Sequence, residues 1–332
     1  MPDAVAVVGA GSWGTALAAL LARSGRPVRL WARDPAVAAA INQRRVNPDY
    51  LPGVELPGGI AATTDLAAAT ASAPIVFVVI PSAFCRETYR RLAAAARADA
   101  VLVSATKGLE TDTLQRMTEV AGEEAPGHPL AVLSGPSFAL EVARAQPTTV
   151  VVASSEPAVA ERVQRVVSSE TFRAYTSDDV IGVELAGALK NVIAIAAGIV
   201  TGLGYGHNTV AALITRGLAE MSRLVVALGG RADTLAGLAG LGDLVLTCTG
   251  ALSRNRQVGQ ALGAGRSLAE AISSTHMVAE GVRTALAACA LADRAGVELP
   301  IAREMKAVLH EGKDPRTALT DLMLRSLKRE VD

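Results

Sequence analysis

Short apolar runs alternate with longer amphipathic segments over the first half of the chain. Apolar runs of roughly four to eight residues are typical of buried strands, whereas apolar residues recurring every three or four positions are typical of helices. The predicted strands are Ala4–Val8, Val28–Trp31, Ile75–Ile80, Ala100–Ser104, Leu130–Leu133, Thr148–Ala153 and Thr171–Thr176. The predicted helices between them are Thr15–Ser24, Pro35–Arg44, Ala83–Arg97 and Thr113–Glu123. This alternation predicts an α/β fold built on a doubly wound, mostly parallel sheet.

The pattern changes near Asp178, after which no clear strand follows in the sequence. The predicted helices of this second half are Val180–Thr201, Thr209–Leu228, Arg254–Leu262, Leu268–Ile272, Glu280–Ala295, Pro300–His310 and Pro315–Lys328. We therefore expect an α/β domain over residues 1–179 and an all-α domain over residues 180–332, sharing one cleft. The proline-containing segment Asn47–Gly59 is predicted to be a loop.

A glycine-rich turn, GAGSWG at Gly9–Gly14, lies between the first predicted strand and the first predicted helix. In that position Gly9 permits a tight turn, Gly11 lets a pyrophosphate approach the backbone, and Gly14 lets the helix pack closely on the strand. The phosphates would lie at the helix N-terminus, where amides point outward and the helix dipole favours anions. The first domain is therefore predicted to be a Rossmann-like dinucleotide-binding domain.

The end of the second predicted strand bears on which dinucleotide is bound. A site that prefers NAD usually carries an acid about 20 residues past the glycines, on the ribose 2′-hydroxyl. Here Arg33 occupies that place, and it could hold a 2′-phosphate. Asp34 precedes Pro35 and is predicted to cap the next helix. The sequence therefore favours NADP over NAD, with a solvated strand-end charge as the alternative interpretation of Arg33.

Composition narrows the function classes. The chain has 332 residues with 32 basic and 32 acidic side chains, a balance that argues against a nucleic-acid or membrane-surface protein. The three cysteines, Cys85, Cys248 and Cys289, are far apart, and no metal-ligand spacing is present, so neither a disulfide framework nor a metal site is expected. The N-terminus lacks a basic region followed by a cleavable apolar stretch, and the apolar run after Asn191 is too short and glycine-rich to span a bilayer. We expect a cytoplasmic protein with no membrane insertion.

Lys190 is the most informative candidate, because it interrupts an apolar helical segment, VELAGALKNVIAIAAGIV. Burying an unpaired ammonium group costs several kcal/mol or more, so such a lysine shifts its pKa or finds a partner. Buried lysines with shifted pKa values are a recurrent source of acid/base groups. The alternative is a lysine whose stem packs in the core while its head reaches water.

Further candidates lie at predicted strand ends, where doubly wound sheets bind ligands. Lys107 follows one strand and would face the nicotinamide or the substrate, or else be a surface lysine in a turn. Gly135 and Ser137 follow another strand, with Ser137 predicted to cap a helix while nearby amides hold a ligand oxygen.

Candidates in the second half all lie near helix starts. Asp243 follows a glycine-rich turn and could cap a helix or pair with Lys190. Ser253, Arg254 and Asn255 combine a hydroxyl, a guanidinium and an amide at one helix N-terminus, which is the chemistry of a phosphate site or of a solvated capping turn. Glu280 begins another predicted helix, where it could belong to the site or be only a first-turn acid that the helix dipole favours.

These motifs together resemble the bacterial NAD(P)-dependent glycerol-3-phosphate dehydrogenases over essentially the whole chain. The motifs are GAGSWGTALA (9–18), TKGLE (106–110), SGPSFA (134–139), ELAGALKN (184–191), NTVAALITRGLAEM (208–221), GLAGLGDLVLTCTG (237–250), SRN (253–255) and EGV (280–282). The resemblance implies reversible reduction of dihydroxyacetone phosphate to sn-glycerol 3-phosphate, which feeds phospholipid synthesis. It implies that Lys190 is the acid/base. It implies substrate contacts from Lys107, Gly135, Ser137, Asp243, Ser253, Arg254 and Asn255, and cofactor contacts from Gly9, Gly11, Ser12, Trp13, Gly14, Arg33, Lys107, Ala139, Arg254, Val278 and Glu280.

Two other functions stay open from the residues. One is a related hydroxyacid dehydrogenase with a carboxylate substrate, against which the Ser253–Asn255 turn argues. The other is a dinucleotide-sensing regulatory module without catalysis, against which Lys190 argues. His207, in a glycine-rich turn, is a second candidate acid that is expected to be structural. A homodimer is a further expectation.

Overall fold

The computed structural model describes residues 4–273, 278–327 and 329–330, and eight of its strands form one sheet. The strands are β1 (Val5–Val8), β2 (Val28–Trp31), β3 (Ile60–Thr63), β4 (Ile75–Val78), β5 (Val101–Ser104), β6 (Leu130–Ser134), β7 (Thr148–Ala153) and β8 (Phe172–Ser177). Their order is β3-β2-β1-β4-β5-β6-β7-β8, and every neighbouring pair is parallel except β6 and β7. The strand order reverses direction between β1 and β4, which is where open α/β sheets bind ligands.

Helices cover both faces of this sheet. They are α1 (Ser12–Arg23), α2 (Pro35–Arg44), α3 (Leu66–Thr70), α4 (Cys85–Ala95), α5 (Met117–Glu124), α6 (Ala139–Ala143) and α7 (Pro157–Val167). Val5 and Val7 of β1 face a core shared with α1, α2, α6 and α7, whereas Ala6 and Val8 face a core shared with α3, α4 and α5. Because successive strand side chains point to opposite faces, one apolar run of β1 supplies both cores.

The second half of the chain packs around one central helix, α8 (Val180–Gly202), which is buried from Gly182 to Val200. The surrounding helices are α9 (His207–Ala227), α10 (Ala232–Ala236), α11 (Asp243–Thr249), α12 (Arg254–Gly263), α13 (Leu268–Ser273), α14 (Glu280–Ala295), α15 (Pro300–His310) and α16 (Pro315–Met323). Among the described helices, α8 alone is long and apolar enough to cross a membrane, and 89% of its most apolar window is buried inside the protein.

Glycines let α12 approach α8 closely. A Cβ at Gly198 would lie 2.1 Å from the carbonyl oxygen of Arg256, and a Cβ at Gly259 would lie 2.0 Å from that of Ile195. Backbone contact at this distance leaves no room for a side chain at either glycine. The close approach holds the first residues of α12 beside the middle of α8, where Lys190 lies.

The predicted architecture is confirmed, including the mostly parallel sheet and the change to helices after Ser177. No range was predicted for strand β3 or for helices α3, α6, α7, α10 and α11, although Ser137 and Asp243 were considered as caps of helices that follow them. Helix α5 begins at Met117 rather than at Thr113, because the Glu119 side chain accepts a hydrogen bond from the Arg116 amide and starts the helix there. Helix α16 ends at Met323, whereas its predicted end, Lys328, lies outside the described residues.

Candidate active site

A cleft of about 1190 Å³ runs along the carboxyl ends of the central strands and on to helices α8, α11 and α12. Every residue proposed from sequence as a cofactor or substrate contact lines this cleft except Gly135. The cleft therefore joins the glycine turn at one end to Lys190 at the other.

The glycine turn has the geometry that a dinucleotide requires. Gly9 has a φ of +118°, and a Cβ there would lie 2.3 Å from the Val79 carbonyl oxygen. A Cβ at Gly14 would lie 1.9 Å from the Gly9 carbonyl oxygen, whereas one at Gly11 would meet nothing within 4 Å. Gly9 and Gly14 are thus required by packing, and Gly11 leaves open space at the start of α1, where a pyrophosphate fits the exposed amides.

The loop that follows α2 supports the glycine turn. The buried Asn47 side chain donates to the Ala10 carbonyl oxygen at 2.9 Å and to the Thr15 hydroxyl at 2.8 Å. The Ser12 hydroxyl donates to the carbonyl oxygen of Tyr50, whose side chain also lines the cleft. Sequence reasoning identified this segment only as a loop, because nothing in its pattern shows which turn it packs against.

At the end of β2, Arg33 is exposed on the cleft wall and Asp34 caps α2. The Asp34 carboxylate accepts a hydrogen bond from the Ala36 amide at 2.8 Å. Arg33 and Asp34 thus both line the cleft, and the Asp34 carboxylate is bonded to the start of α2, as predicted.

Lys190 and Lys107 share the carboxylate of Asp243. The Lys190 Nζ lies 2.6 Å from Asp243 Oδ1, and the Lys107 Nζ lies 2.8 Å from Asp243 Oδ2. The side chains of Lys190 and Asp243 are 6% and 1% exposed, so the pair is buried, whereas Lys107 is 19% exposed towards the cleft. The predicted pairing of Asp243 with Lys190 is confirmed, and Asp243 is not the helix cap, since the cap position of α11 is Gly242.

Burial sets the protonation of these groups. Burial lowers the pKa of Lys190 to about 8, and the Asp243 carboxylate acts against that decrease. Burial acts to raise the pKa of Asp243, but Lys107 and Lys190 outweigh it, so the carboxyl pKa lies below its usual range. The Asp243 carboxylate thus lies between the two lysines, and burial makes the Lys190 ammonium easier to deprotonate than that of an ordinary lysine.

Helix α11 supplies a further hydrogen-bond partner of Lys190, Thr247, which was not predicted from the sequence. The Lys190 Nζ donates to the Thr247 hydroxyl at 2.8 Å, and Thr247 in turn donates to the Asp243 carbonyl oxygen at 2.6 Å. Asp243 and Thr247 are four residues apart and share one face of α11. That i, i+4 pair is visible in the sequence, but the helix that makes it meaningful was not predicted.

A chain of amide hydrogen bonds links three helices behind the cleft. The Gly281 amide donates to Asn255 Oδ1 at 3.0 Å, the Asn255 amide donates to Asn191 Oδ1 at 2.9 Å, and the Asn191 amide donates to the Lys107 carbonyl oxygen at 3.0 Å. Asn255 was expected to contact substrate, whereas its oxygen and one of its N–H groups serve this chain. Asn191 was not proposed as a site residue from sequence, and its side chain forms two of these hydrogen bonds.

The start of α12 separates the three residues of the Ser-Arg-Asn turn. The Ser253 hydroxyl accepts from the Arg256 amide at 3.3 Å and caps the helix. Arg254 points across the cleft, donating from Nη2 to the Ser12 hydroxyl at 3.0 Å, and burial lowers its pKa to about 10. Arg254 therefore joins the start of α12 to the start of α1, two helix ends that both favour anions.

The turn after β6 differs from its prediction at one residue. Helix α6 begins at Ala139 with Phe138 at its cap position, so Ser137 is not a helix cap. Its hydroxyl donates instead to the Gly135 carbonyl oxygen at 2.8 Å, because Gly135 has a φ of +126° and turns its carbonyl towards Ser137 and Lys107. The Lys107 Nζ donates to the same carbonyl at 2.8 Å, so Gly135 holds Lys107 from outside the cleft lining.

Val278 lines the cleft just before α14, and Glu280 lines it at the start of that helix. The Glu280 carboxylate accepts from the Ser82 amide at 2.9 Å and from the Ser82 hydroxyl at 2.6 Å. Burial raises the pKa of Glu280, and the bonds from Ser82 act against that increase. Glu280 is thus tied to the turn after β4, and Val278 is partly exposed beside it.

Neither His207 nor Cys248 lines the cleft. His207 is exposed at the start of α9. Cys248 is buried beside Lys190, and burial raises the pKa of its thiol to about 12, as befits a packing residue. No group of three or more metal-ligating side chains occurs in the part of the chain that the structure describes.

The chain matches two family models and resembles curated proteins along its whole length. Residues 4–160 match the N-terminal model of NAD-dependent glycerol-3-phosphate dehydrogenase, and residues 179–320 match the C-terminal model. A glycerol-3-phosphate dehydrogenase [NAD(P)+] of Geobacter sulfurreducens is 52% identical over 99% of this chain and 99% of its own length. One of Nitratidesulfovibrio vulgaris is 53% identical over 98% of this chain and 99% of its own. The crystal structure of glycerol-3-phosphate dehydrogenase from Coxiella burnetii superimposes with a TM-score of 0.94 at 42% identity, covering 97% of this chain and 99% of that one.

Proposed function

We infer the reaction from one premise, which is that this chain belongs to the NAD-dependent glycerol-3-phosphate dehydrogenase family. It is an NAD(P)-dependent oxidoreductase that transfers hydride between the nicotinamide cofactor and dihydroxyacetone phosphate, giving sn-glycerol 3-phosphate reversibly. The glycerol 3-phosphate formed would supply glycerophospholipid synthesis.

We propose that residues 1–179 bind the dinucleotide and that residues 180–332 bind the substrate and supply the acid/base. The glycine turn supports the first assignment, because its open space lies at the N-terminus of α1. The exposed cleft position of Arg33, with no acid beside it except the capping Asp34, supports a preference for NADP over NAD. We also propose a cytoplasmic homodimer.

Lys190 is the proposed proton donor to the ketone oxygen. When bound, the reduced nicotinamide supplies hydride to the carbonyl carbon, and negative charge develops on the oxygen. The Lys190 ammonium neutralises that charge by giving up its proton, and its pKa of about 8 makes the transfer easier than from an ordinary lysine. In the reverse direction the neutral amine takes the hydroxyl proton.

Asp243 and Thr247 are proposed to orient Lys190, since each occupies one of the three directions in which an ammonium can donate. The remaining N–H is the one that would serve the substrate oxygen. Lys107 lies beside Asp243 and is proposed to hold the substrate by hydrogen bonding, with Gly135 and Ser137 fixing its position.

Arg254 is the proposed ligand of the substrate phosphate, together with the first two amides of α12, since Ser253 caps the third, that of Arg256. Its guanidinium also reaches Ser12 beside the cofactor site, so one residue would contact both bound molecules. A firm grip on the phosphate would position the reacting carbon, because remote binding energy is used to orient the ketone.

The observation that carries this proposal is the Lys190–Asp243–Lys107 arrangement at the end of a dinucleotide cleft. A nicotinamide absorbance assay with dihydroxyacetone phosphate tests it, with a panel of 2-keto acids as the comparison. Turnover of the triose phosphate alone is expected. Turnover of a keto acid instead would favour the hydroxyacid dehydrogenase, and dinucleotide binding without turnover of any substrate would favour a regulatory module.

A further inference from the structure

One face of helix α4 forms a wall of the dinucleotide cleft. Glu87, Thr88 and Arg91 line it, and their spacing places them on the same side of the helix. Trp31, Arg33 and Asp34 line the same cleft from the end of β2. Because the ribose next to the adenine lies at the end of the second strand, this wall faces the part of the cofactor that distinguishes NADP from NAD.

The guanidinium of Arg91 is held at that strand end by an aromatic ring. Its carbon lies 5.7 Å from the centroid of the Trp31 ring, within the range of a cation–π interaction. The Trp31 indole N–H donates to the Thr64 carbonyl oxygen at 2.9 Å, which fixes the ring. Arg33 follows Trp31 by two residues, just after the end of β2, whereas Arg91 belongs to helix α4. The two guanidinium groups therefore come from different elements.

The local charges leave this place positive. Arg91 forms no ion pair within the described residues, whereas the neighbouring Arg90 pairs with Glu87 at 2.9 Å and with Glu124 at 3.0 Å. The Glu87 carboxylate is thereby neutralised, and the Asp34 carboxylate caps α2. Arg91 thus lies over the Trp31 ring at the end of β2, Arg33 lines the same cleft two residues after Trp31, and both nearby carboxylates are engaged elsewhere.

We propose that Arg91 is a second residue, besides Arg33, that binds the 2′-phosphate of NADP and so determines cofactor preference. A phosphate dianion is bound best by more than one guanidinium, because each offers a planar pair of donors. Arg91 is supplied by α4 and stacked on Trp31, so it is positioned before the cofactor arrives. This assignment rests on the NADP preference proposed above.

The test is the binding of nucleotides that differ only at the 2′ position. The dissociation constants of NADPH and NADH, and of adenosine 2′,5′-bisphosphate and adenosine 5′-monophosphate, are measured by fluorescence or calorimetric titration for the parent, Arg91→Ala and Arg165→Ala. Arg165→Ala is the control, because it removes the same charge from an exposed position of α7 that does not line the cleft. Arg91→Ala is expected to weaken NADPH and the bisphosphate about tenfold or more, and to change NADH and the monophosphate less than about twofold.

The outcomes separate this inference from the proposed preference. If the parent binds NADPH no better than NADH, the NADP preference itself is wrong. If the parent prefers NADPH and Arg91→Ala weakens both classes of nucleotide equally, or neither, Arg91 does not read the 2′-phosphate. An equal loss in Arg165→Ala would also overturn the inference, since the net charge of the protein would then explain the effect. Recovery of part of the NADPH affinity in Arg91→Lys would support a charge contact at this place.

Discussion

Lys190 can be removed without leaving its partner unpaired, and this makes the central residue of the proposed mechanism testable. Asp243 keeps its contact with Lys107 at 2.8 Å when Lys190 is absent. We expect Lys190→Ala to fold and to lose roughly 10²–10⁴-fold in kcat, the usual contribution of a positioned general acid. Dinucleotide affinity should be preserved, because the glycine turn lies at the other end of the cleft. Steady-state kinetics and NADPH titration check both statements, and near-normal kcat would remove Lys190 from the mechanism.

The pKa of Lys190 gives a second prediction at the same residue. Ketone reduction needs the ammonium form, so kcat/KM for dihydroxyacetone phosphate should fall as pH rises through about 8. Oxidation of glycerol 3-phosphate needs the neutral amine and should rise over the same range. Asp243→Asn removes the anion that raises the Lys190 pKa, so the limb of the reduction profile should move to lower pH. A limb that stays in place in Asp243→Asn would mean that another group titrates.

At the scale of elements, the first turn of α12 carries the proposed phosphate ligand, Arg254, and its role can be tested by substitution. Arg254→Ala should raise KM for dihydroxyacetone phosphate, and it should lower kcat if the phosphate grip positions the ketone. Because Arg254 also bonds Ser12 beside the cofactor site, we expect Arg254→Ala to lower cofactor affinity as well, but less than it raises KM for dihydroxyacetone phosphate. Arg254→Lys should restore only part of the loss, since lysine lacks the bidentate fork.

The control for this prediction is the substrate without its phosphate. Unphosphorylated dihydroxyacetone should be a poor substrate of the parent and should respond much less to Arg254→Ala. An equal loss with both substrates would show that Arg254 does not read the phosphate. The cofactor contact through Ser12 would then be its main task.

The elements that sequence reasoning found are those with a long or strongly apolar pattern. Strands β1, β2 and β4 to β8 and helix α8 are of this kind, and the glycine turn between β1 and α1 has the predicted packing. Strand β3, with the sequence IAAT, is a short edge strand whose pattern does not differ from that of a loop or helix. Helix α11 follows a glycine-rich π-helical turn, Leu238–Gly242, so the sequence predicted a turn there, with Asp243 as one candidate cap and no range for the helix.

The sequence predicts most of the residues that form the site, but it does not predict which contacts they make. Lys190 was found because a charge in an apolar helix is conspicuous, and its pairing with Asp243 was one of two alternatives. The hydrogen bonds of the Asn191 and Asn255 side chains depend on how α8, α12 and α14 pack together, and such tertiary contacts leave no periodic signal. The cap of Ser253 is a local bond and was one of the two interpretations of its turn. Ser137 was wrongly expected to cap α6, because that helix begins one residue later than expected, with Phe138 at its cap position.

At the scale of the whole molecule, partly buried polar contacts join the sheet to the helical half. Lys107 meets Asp243, Ser12 meets Arg254, and Ser82 meets Glu280 along the cleft. A fourth contact lies outside it, where Glu184 of α8 accepts from Arg116 Nη1 at 2.6 Å and from the Thr118 amide at 2.9 Å. Glu184 is on the same helix as Lys190, so this contact fixes α8 against the start of α5.

Removing the guanidinium from this last contact tests how much it holds the two halves together. The Glu184 side chain is 4% exposed, so Arg116→Ala would leave a buried carboxylate without its cation and cost about 3–5 kcal/mol of unfolding free energy. The control is Arg165→Ala, which removes an exposed i, i+4 pair of α7 and should cost less than about 1 kcal/mol. Chemical denaturation of the two variants and the parent gives both values.

The pH dependence of that loss identifies its cause. Burial raises the pKa of Glu184 above its unfolded value, and Arg116 acts against the increase. Without Arg116 the folded protein holds the Glu184 proton to higher pH than the unfolded chain does, so protonation favours the fold at acid pH. That contribution disappears as pH rises through the folded pKa, and Arg116→Ala should therefore lose more stability relative to the parent at pH 8 than at pH 5. An equal loss at both pH values would mean that the packing of the Arg116 side chain, rather than the buried charge of Glu184, joins α8 to the sheet.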